Sequence, residues 1–172
     1  DILTIEGLDI NQVNSNGRTP LQQAAIEGKD TIYFKIKELG GEYNKLHDFY
    51  YDAIIGGKIN IFNDLPENDF LWQLHEMPWD DDAIEYYPIE TAISYNSTEI
   101  TKVLFDQMFK TLSENKNERT EIMVDILNGR DAIGDVLALL WEAVNWENKE
   151  LFEIILKNTA KFNNLELKYT RY

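Results

Sequence analysis

Residues 7–30, which read GLDINQVNSNGRTPLQQAAIEGKD, decide the fold because they carry the start and stop signals of a short helix. Thr19 precedes Pro20, and proline is tolerated in the first turn of a helix while threonine caps its exposed N–H groups. Gly28 ends the helix as a left-handed C-terminal cap would. Between these signals lie three residues at helical spacing, Leu21, Ala24 and Ala25. They predict a narrow apolar face that a neighbouring helix approaches closely.

A second helix is predicted directly after the first. Asp30 can cap this helix and Gly40-Gly41 can end it. Its apolar residues recur at i, i+4 and i+7, and they are Ile32, Ile36 and Leu39. Neither helix can bury its apolar stripe alone, so the sequence predicts a helix pair that stacks on further pairs.

This pair resembles the ankyrin repeat, whose pattern is Gly-Ala-Asp-Val-Asn, a turn, then Gly-x-Thr-Pro-Leu-His-x-Ala-Ala and a glycine. Residues 7–11 (GLDIN) match the first part, and residues 17–21 (GRTPL) and 24–28 (AAIEG) match the second. Gln22 stands where the family usually has histidine. The resemblance implies a stack of helix pairs with a concave groove that holds other proteins.

The pattern returns along the chain. Gly57 falls at the position of Gly28 with a spacing of 29 (57 minus 28), Pro88 repeats the proline signal, and Asn148 is the expected cap of a later helix. We predict an all-α fold, an ankyrin-like helical repeat solenoid of about four divergent repeats in a single domain, residues 1–172. The repeats span approximately 7–44, 45–65, 86–112 and 135–162, and two insertions span approximately 65–85 and 113–134.

Charge is the most informative bulk property. The chain has 31 acidic residues against 16 Lys and Arg, a net charge of −15, and a pI near 4.4. Such a surface repels nucleic acid and anionic membranes and accelerates encounter with basic partners, although acidity also serves solubility alone. No apolar run reaches the length of a membrane helix, and cysteine is absent. We predict a cytoplasmic protein, monomeric by itself, that binds neither nucleic acid nor membrane.

Catalytic patterns are missing from the sequence. It has no cysteine nucleophile and no Gly-x-Ser-x-Gly elbow. His47-Asp48 with Asp52 lacks a second histidine at metal-ligand spacing, and Asp80 to Asp82 lack the alternation and glycine of a calcium loop. The sequence therefore predicts a protein that is not an enzyme and that holds no metal and no cofactor.

Two surfaces are candidates for partner binding. The resemblance points to the groove, with Arg18 in a finger and Glu27, Tyr95 and Trp146 at the ends of inner helices. Tyrosine and tryptophan are frequent interface anchors, but these two rings could equally pack against an insertion. The second candidate is the first insertion, where aromatic rings adjoin three consecutive acids: Trp72, Trp79, Asp80, Asp81 and Asp82. Rings can fill pockets while acids steer a basic protein, whereas Trp72 can also close the core.

The predicted function is a non-catalytic protein-binding module. The chain is similar to small, divergent ankyrin-type bacterial immunity proteins, which implies an acidic inhibitor that binds and neutralises a basic partner such as a toxin. A first alternative is an ankyrin effector or scaffold of an intracellular bacterium that docks on a host protein. A second is an inhibitor that mimics DNA, which needs carboxylates in two rows at phosphate spacing.

Overall fold

Short helices joined in pairs by tight turns dominate the chain. The computed structural model describes residues 9–44, 49–66, 75–76, 85–86, 88–114 and 135–169. Its elements within these ranges are α1 (Pro20–Ile26), α2 (Asp30–Glu38), α3 (Phe49–Gly56), α4 (Ile59–Asn63), β1 (His75–Glu76), β2 (Glu85–Tyr86), α5 (Pro88–Ser94), α6 (Thr98–Glu114), α7 (Asp135–Asn145) and α8 (Lys149–Tyr169). The only strands in the described ranges are β1 and β2, which pair and hold two residues each. The predicted all-α class is confirmed at this level.

The helices group into two compact units. The N-terminal unit comprises Asp1–Pro66 and Glu76–Glu85, and the C-terminal unit comprises Glu67–His75 and Tyr86–Tyr172. In the N-terminal unit α1 packs against α2 and α3, and α4 packs against α2 and α3. In the C-terminal unit α5 packs against α6 and α7, and α8 packs against α6 and α7. Each unit is therefore two stacked helix pairs. A single domain over residues 1–172 and a solenoid of all four pairs stay predictions.

Helix α1 begins as its sequence predicts. Thr19 accepts a hydrogen bond from the backbone N–H of Gln22 at 3.3 Å, and the Gln22 side chain accepts one from the N–H of Thr19 at 3.1 Å. This reciprocal capping box satisfies N–H groups that the first turn leaves free. The buried Gln22 side chain also accepts a hydrogen bond from the N–H of Asn44 at 3.1 Å. Glutamine thus ties the start of α1 to the segment that follows α2.

Every helix pair turns on one residue in the left-handed region of φ. These residues are Gly28 (φ 63°), Gly57 (φ 65°), Asn96 (φ 58°) and Glu147 (φ 51°). In three of these four turns the residue that follows donates its N–H to a carbonyl five positions back in the first helix, from Lys29 to Ala24, from Ser97 to Ala92 and from Asn148 to Ala143. These bonds close the carbonyl end of the first helix and let the second begin within two residues. The predicted cap at Gly28 is confirmed.

Burial in the N-terminal unit confirms the apolar face of α1 and corrects that of α2. Ala25 is fully buried. On α2, by contrast, Tyr33 is buried, Ile36 and Leu39 are half-buried and Ile32 is 55% exposed, so the prediction that Ile32 belongs to the core-facing stripe is wrong. Tyrosine can occupy the core because its ring fills the space and its hydroxyl donates a hydrogen bond to Asp64 at 2.8 Å, which satisfies the polar end of the buried side chain.

The C-terminal unit has longer second helices, of 17 residues in α6 and 21 in α8. Its described apolar core comes from all four helices and includes Ile89, Ala92, Ile93, Ile100, Leu104, Phe105, Met108, Phe109, Leu139, Ala143, Leu151 and Ile155. Asn148 accepts a hydrogen bond from the N–H of Leu151 at 2.9 Å, so its predicted role as the cap of α8 is confirmed. Helix α8 continues to Tyr169, beyond the predicted end of the repeat at residue 162.

Candidate protein-binding surface

Two aromatic side chains stand at equivalent positions in the turns of the C-terminal unit. Tyr95 follows the last residue of α5 and precedes Asn96, and Trp146 follows the last residue of α7 and precedes Glu147. Tyr95 is 47% exposed and Trp146 is 49% exposed. Tyrosine and tryptophan are enriched at the centres of interfaces, so two half-exposed rings at equivalent positions are candidates for partner contacts.

Hydrogen bonds join the two turns. The indole N–H of Trp146 donates to the carbonyl oxygen of Ser94 at 3.1 Å. The side-chain amide of Asn148 donates to Asn96 Oδ1 at 2.6 Å and to Thr98 Oγ1 at 2.8 Å. Asn148 Oδ1 also caps α8, so hydrogen bonds hold both the amide nitrogen and the amide oxygen of this side chain. The two turns therefore form one ordered surface before any partner arrives.

Helix α7 adds two apolar side chains to the exposed surface of this unit. Trp141 is 65% exposed and Val144 is also exposed, whereas Leu139 and Ala143 on the same helix are buried. Residues 141 and 144 lie one turn apart on the helix and opposite the face that carries 139 and 143. We call Tyr95, Trp141, Val144 and Trp146 the aromatic edge.

Acidic residues are frequent in the two sequence segments that carry the aromatic edge. Residues 90–102 and 142–153 contain six glutamates and two lysines. One of these lysines, Lys149, lies 3.5 Å from Glu153 in an exposed ion pair on α8. Burial raises the pKa of the Glu90 carboxyl, since the charged form loses hydration there. Because glutamates outnumber lysines, these two segments carry a net negative charge at neutral pH.

Glu147 combines exposure with an unfavourable backbone conformation. Its side chain is exposed next to Trp146, and its φ of 51° lies in the region that glycine and asparagine adopt most readily. A glutamate at such a position costs stability of roughly 1 kcal/mol relative to glycine. Glu147 thus keeps an exposed carboxylate next to Trp146 in the sequence at some cost in backbone strain.

The predicted site residues fall into three groups. Tyr95 and Trp146 are brought together through their turns, as described above. Arg18 and Glu27 belong to the N-terminal unit. Arg18 is mostly buried and its Nε lies 3.3 Å from Asp52 Oδ1 on α3, whereas Glu27 is exposed and accepts a hydrogen bond from the Gln23 side chain at 2.7 Å.

The acidic aromatic segment of the first insertion lies outside the described residues. This segment carries the predicted residues Trp72, Trp79, Asp80, Asp81 and Asp82. Its role in binding stays a prediction.

Sequence reasoning missed Trp141 and Val144. Both lie in an apolar run, LALLWEAV at residues 137–144, within the predicted repeat that spans approximately 135–162. Helical phase is the signal that separates them, because a residue two positions after Leu139 points about 200° away from it. Helical phase alone could therefore have predicted that Trp141 lies on the exposed face of the helix.

A metal site and a membrane-spanning helix are two further features that would bear on function. No group of three or more His, Asp or Glu side chains within the described ranges is arranged to hold a metal ion. None of the helices described combines the length and hydropathy of a membrane-spanning segment. The turns after α5 and α7 offer two half-exposed aromatic rings and, at Glu147, an exposed carboxylate.

Comparison with known proteins adds no relative. No protein-family model matches the chain, and no curated protein matches it at a significant level. The likeness to ankyrin repeats accordingly rests on the residues and helix pairs described above. The aromatic edge is the structural feature that bears on function.

Proposed function

We propose that this chain is a non-catalytic protein-binding module that binds a basic partner protein and neutralises it, as an immunity protein neutralises a toxin. The observation that carries the proposal is the half-exposed pair Tyr95 and Trp146, fixed on adjoining turns by the hydrogen bonds of Trp146 and Asn148. Rings that are ordered in advance lose little conformational freedom on binding, so their burial translates efficiently into affinity.

Charge supports a basic partner. The net charge of −15 favours fast encounter with a positively charged protein and disfavours nucleic acid. The two sequence segments that carry the aromatic edge hold more glutamates than lysines, so part of this negative charge lies close to the rings along the chain. A partner that carries cations around an apolar centre would match both features.

We also propose that the four helix pairs are divergent ankyrin-like repeats in one solenoid. Support comes from the sequence resemblance in residues 7–44 and from the stacking inside each unit, where first helices pack together and second helices pack together. The recurrence of the left-handed turn residue in all four pairs is further support.

The experiment that tests the proposed function uses the full chain immobilised on a surface plasmon resonance sensor. Proteins from the native cell are passed over it, the bound protein is identified, and its association is measured from 25 to 500 mM NaCl. We expect a partner with pI above 9, an association rate that falls by at least about tenfold over this range, and loss of the partner's activity at one equivalent of the chain. An acidic partner, or an association rate independent of salt, would contradict the proposal.

The same measurement separates the alternatives. If the partner stays fully active when bound, the chain is a scaffold or effector rather than an inhibitor. If duplex DNA competes for the bound partner, the carboxylates act as a DNA mimic. Full activity of the complexed partner, at saturating chain, therefore refutes neutralisation while leaving binding intact.

A further inference from the structure

We infer that the aromatic edge binds a segment of the partner that carries arginine side chains. This inference rests on the proposed function and narrows it to one surface and one side-chain chemistry. The surface lies in the turns after α5 and α7 and on the exposed face of α7, and it comprises Tyr95, Trp141, Val144 and Trp146.

The hydrogen bonding of Trp146 determines what this ring offers to a ligand. Its indole N–H, the single donor of the side chain, is engaged by the carbonyl oxygen of Ser94 at 3.1 Å. About half of the ring stays exposed. With its donor engaged, the exposed part of this residue offers a ligand the π system of the indole, which attracts cations and apolar groups, instead of a hydrogen-bond donor.

Charge around the rings selects a cation over a purely apolar ligand. Glu147 is exposed directly after Trp146, and Glu142 lies one helical turn before it, joined by the hydrogen bond from the Trp146 N–H to the Glu142 carbonyl at 3.0 Å. A cation over an indole gains from the ring quadrupole and from neighbouring carboxylates at the same time. A second copy of this chain is a poor occupant, because two copies at −15 repel each other.

Arginine fits this combination better than lysine. Its planar guanidinium stacks on an aromatic face while its N–H groups remain free at the edge to bind a carboxylate in a bidentate manner. Lysine carries a compact, strongly hydrated charge that cannot do both. Two exposed tryptophans and one tyrosine give room for more than one arginine, so an extended segment with spaced arginines is the expected ligand.

Titration of the full chain with a defined peptide tests the inference. The probe is the capped peptide Gly-Arg-Ser-Arg-Gly-Arg-Ser, with its lysine and citrulline versions as comparisons. The readout is the set of indole N–H resonances of the ¹⁵N-labelled protein, of which four are expected from four tryptophans. We expect the largest shifts at Trp141 and Trp146, and a Kd for the arginine peptide at least about threefold lower than for the lysine peptide. The citrulline peptide, which keeps the planar group but lacks charge, should cause no comparable shift.

Variants assign the effect to the aromatic edge. Trp141→Ala and Trp146→Ala should each raise the Kd of the arginine peptide by about fivefold or more, as loss of an aromatic anchor does. Ile32→Ala is the matched control, since Ile32 is an apolar residue of similar exposure on the N-terminal unit and should leave the Kd unchanged. Trp146→Phe keeps a ring without the hydrogen bond to Ser94, so it reports on binding even if Trp146→Ala unfolds the turn.

Two outcomes would overturn the inference without touching the proposed function. One is equal binding of the arginine and citrulline peptides, which would make the edge an apolar docking site. The other is a shift confined to Trp72 and Trp79, which would move the contact to the insertion. By contrast, salt-independent binding of the native partner contradicts the proposed function itself, whatever the peptide does.

Discussion

The turns of the N-terminal and C-terminal units share one backbone geometry and use it in opposite ways. The residue just before the left-handed position is Glu27 or Gly56 in the first unit and Tyr95 or Trp146 in the second. A side chain on Gly56 would collide with the carbonyl oxygen of Ala25, and one on Gly28 would collide with the carbonyl oxygen of Gly56. In the first unit, then, backbone packs directly on backbone.

The C-terminal unit joins its turns through side chains instead. Asn148 and the Trp146 indole bridge them, and Tyr95 and Trp146 are half exposed at the position that Gly56 occupies in the second turn of the first unit. The comparison teaches that one turn geometry can either close a core or display a binding surface, depending on whether side chains or backbone groups fill the gap between neighbouring pairs.

The largest effect is expected from Gly56→Ala. Gly56 ends α3 with ordinary helical geometry, so the cost comes from the collision of the new methyl group with the Ala25 carbonyl and not from backbone strain. We expect the free energy of unfolding to fall by about 3 kcal/mol. Tyr95→Ala changes the equivalent, exposed residue of the second unit and should cost at most about 0.5 kcal/mol. Urea denaturation of both variants checks this, and a tolerated alanine at residue 56 would refute the close packing of the first unit.

A smaller loss is expected from Asn148→Ala, which tests how the second unit is held. The change removes the bonds to Asn96 and Thr98 and the cap of α8. We expect the free energy of unfolding to fall by about 1–2 kcal/mol, together with weaker partner binding because the two turns separate. Asn158→Ala is the control, since Asn158 donates only to the Ile154 carbonyl within its own helix. Equal losses for the two variants would show that the bridge contributes nothing.

Alkaline pH is expected to weaken the N-terminal unit through Tyr33. Burial raises the pKa of Tyr33 to about 12, and the buried Tyr43 hydroxyl, 3.1 Å away, also has its pKa raised by burial. The unfolded chain loses these protons near pH 10, before the folded chain does, so stability is complete below pH 10 and declines as pH rises towards 12. Tyr33→Phe should cost about 1 kcal/mol at pH 7 through the lost hydrogen bond to Asp64, and less at pH 11. Denaturation curves at both pH values check this, and a constant difference would contradict it.

The smallest effect, and one of opposite sign, is expected from Glu147→Gly. Glycine relieves the strain at φ 51°, so the free energy of unfolding should rise by roughly 0.5–1 kcal/mol while binding of a basic partner weakens. Asn96→Gly is the comparison, because asparagine tolerates this conformation and its oxygen accepts a hydrogen bond from Asn148. Thermal unfolding and binding are measured on the same samples. If the variant gains stability and keeps full affinity for the partner, Glu147 does not contribute to binding.

Local signals explain the parts of the fold that sequence reasoning predicted correctly. The Thr19-Pro20 start, the glycine at residue 28 and the cap at Asn148 act within a few residues of their own positions, so they are readable without tertiary contacts. On α2 the prediction was wrong for Ile32, because Ile32 and Tyr33 are both large and apolar enough to be buried. Tyr33 is the residue that is buried, because its hydroxyl donates a hydrogen bond to Asp64, which lies 31 positions later in the sequence.

What the sequence determined by itself is the succession of short helix pairs, the all-α class and the strong negative charge, because each depends on composition or on neighbours in the chain. Tertiary structure decided which rings remain exposed, since the exposure of Trp141 and Trp146 depends on where α5 and α8 leave space beside α7. It also decided that Asn96 and Glu147 take the left-handed position that glycine marks at residues 28 and 57. Stacking each pair on its neighbour forces the chain to turn there, and the energy of packing outweighs the local preference of these two residues.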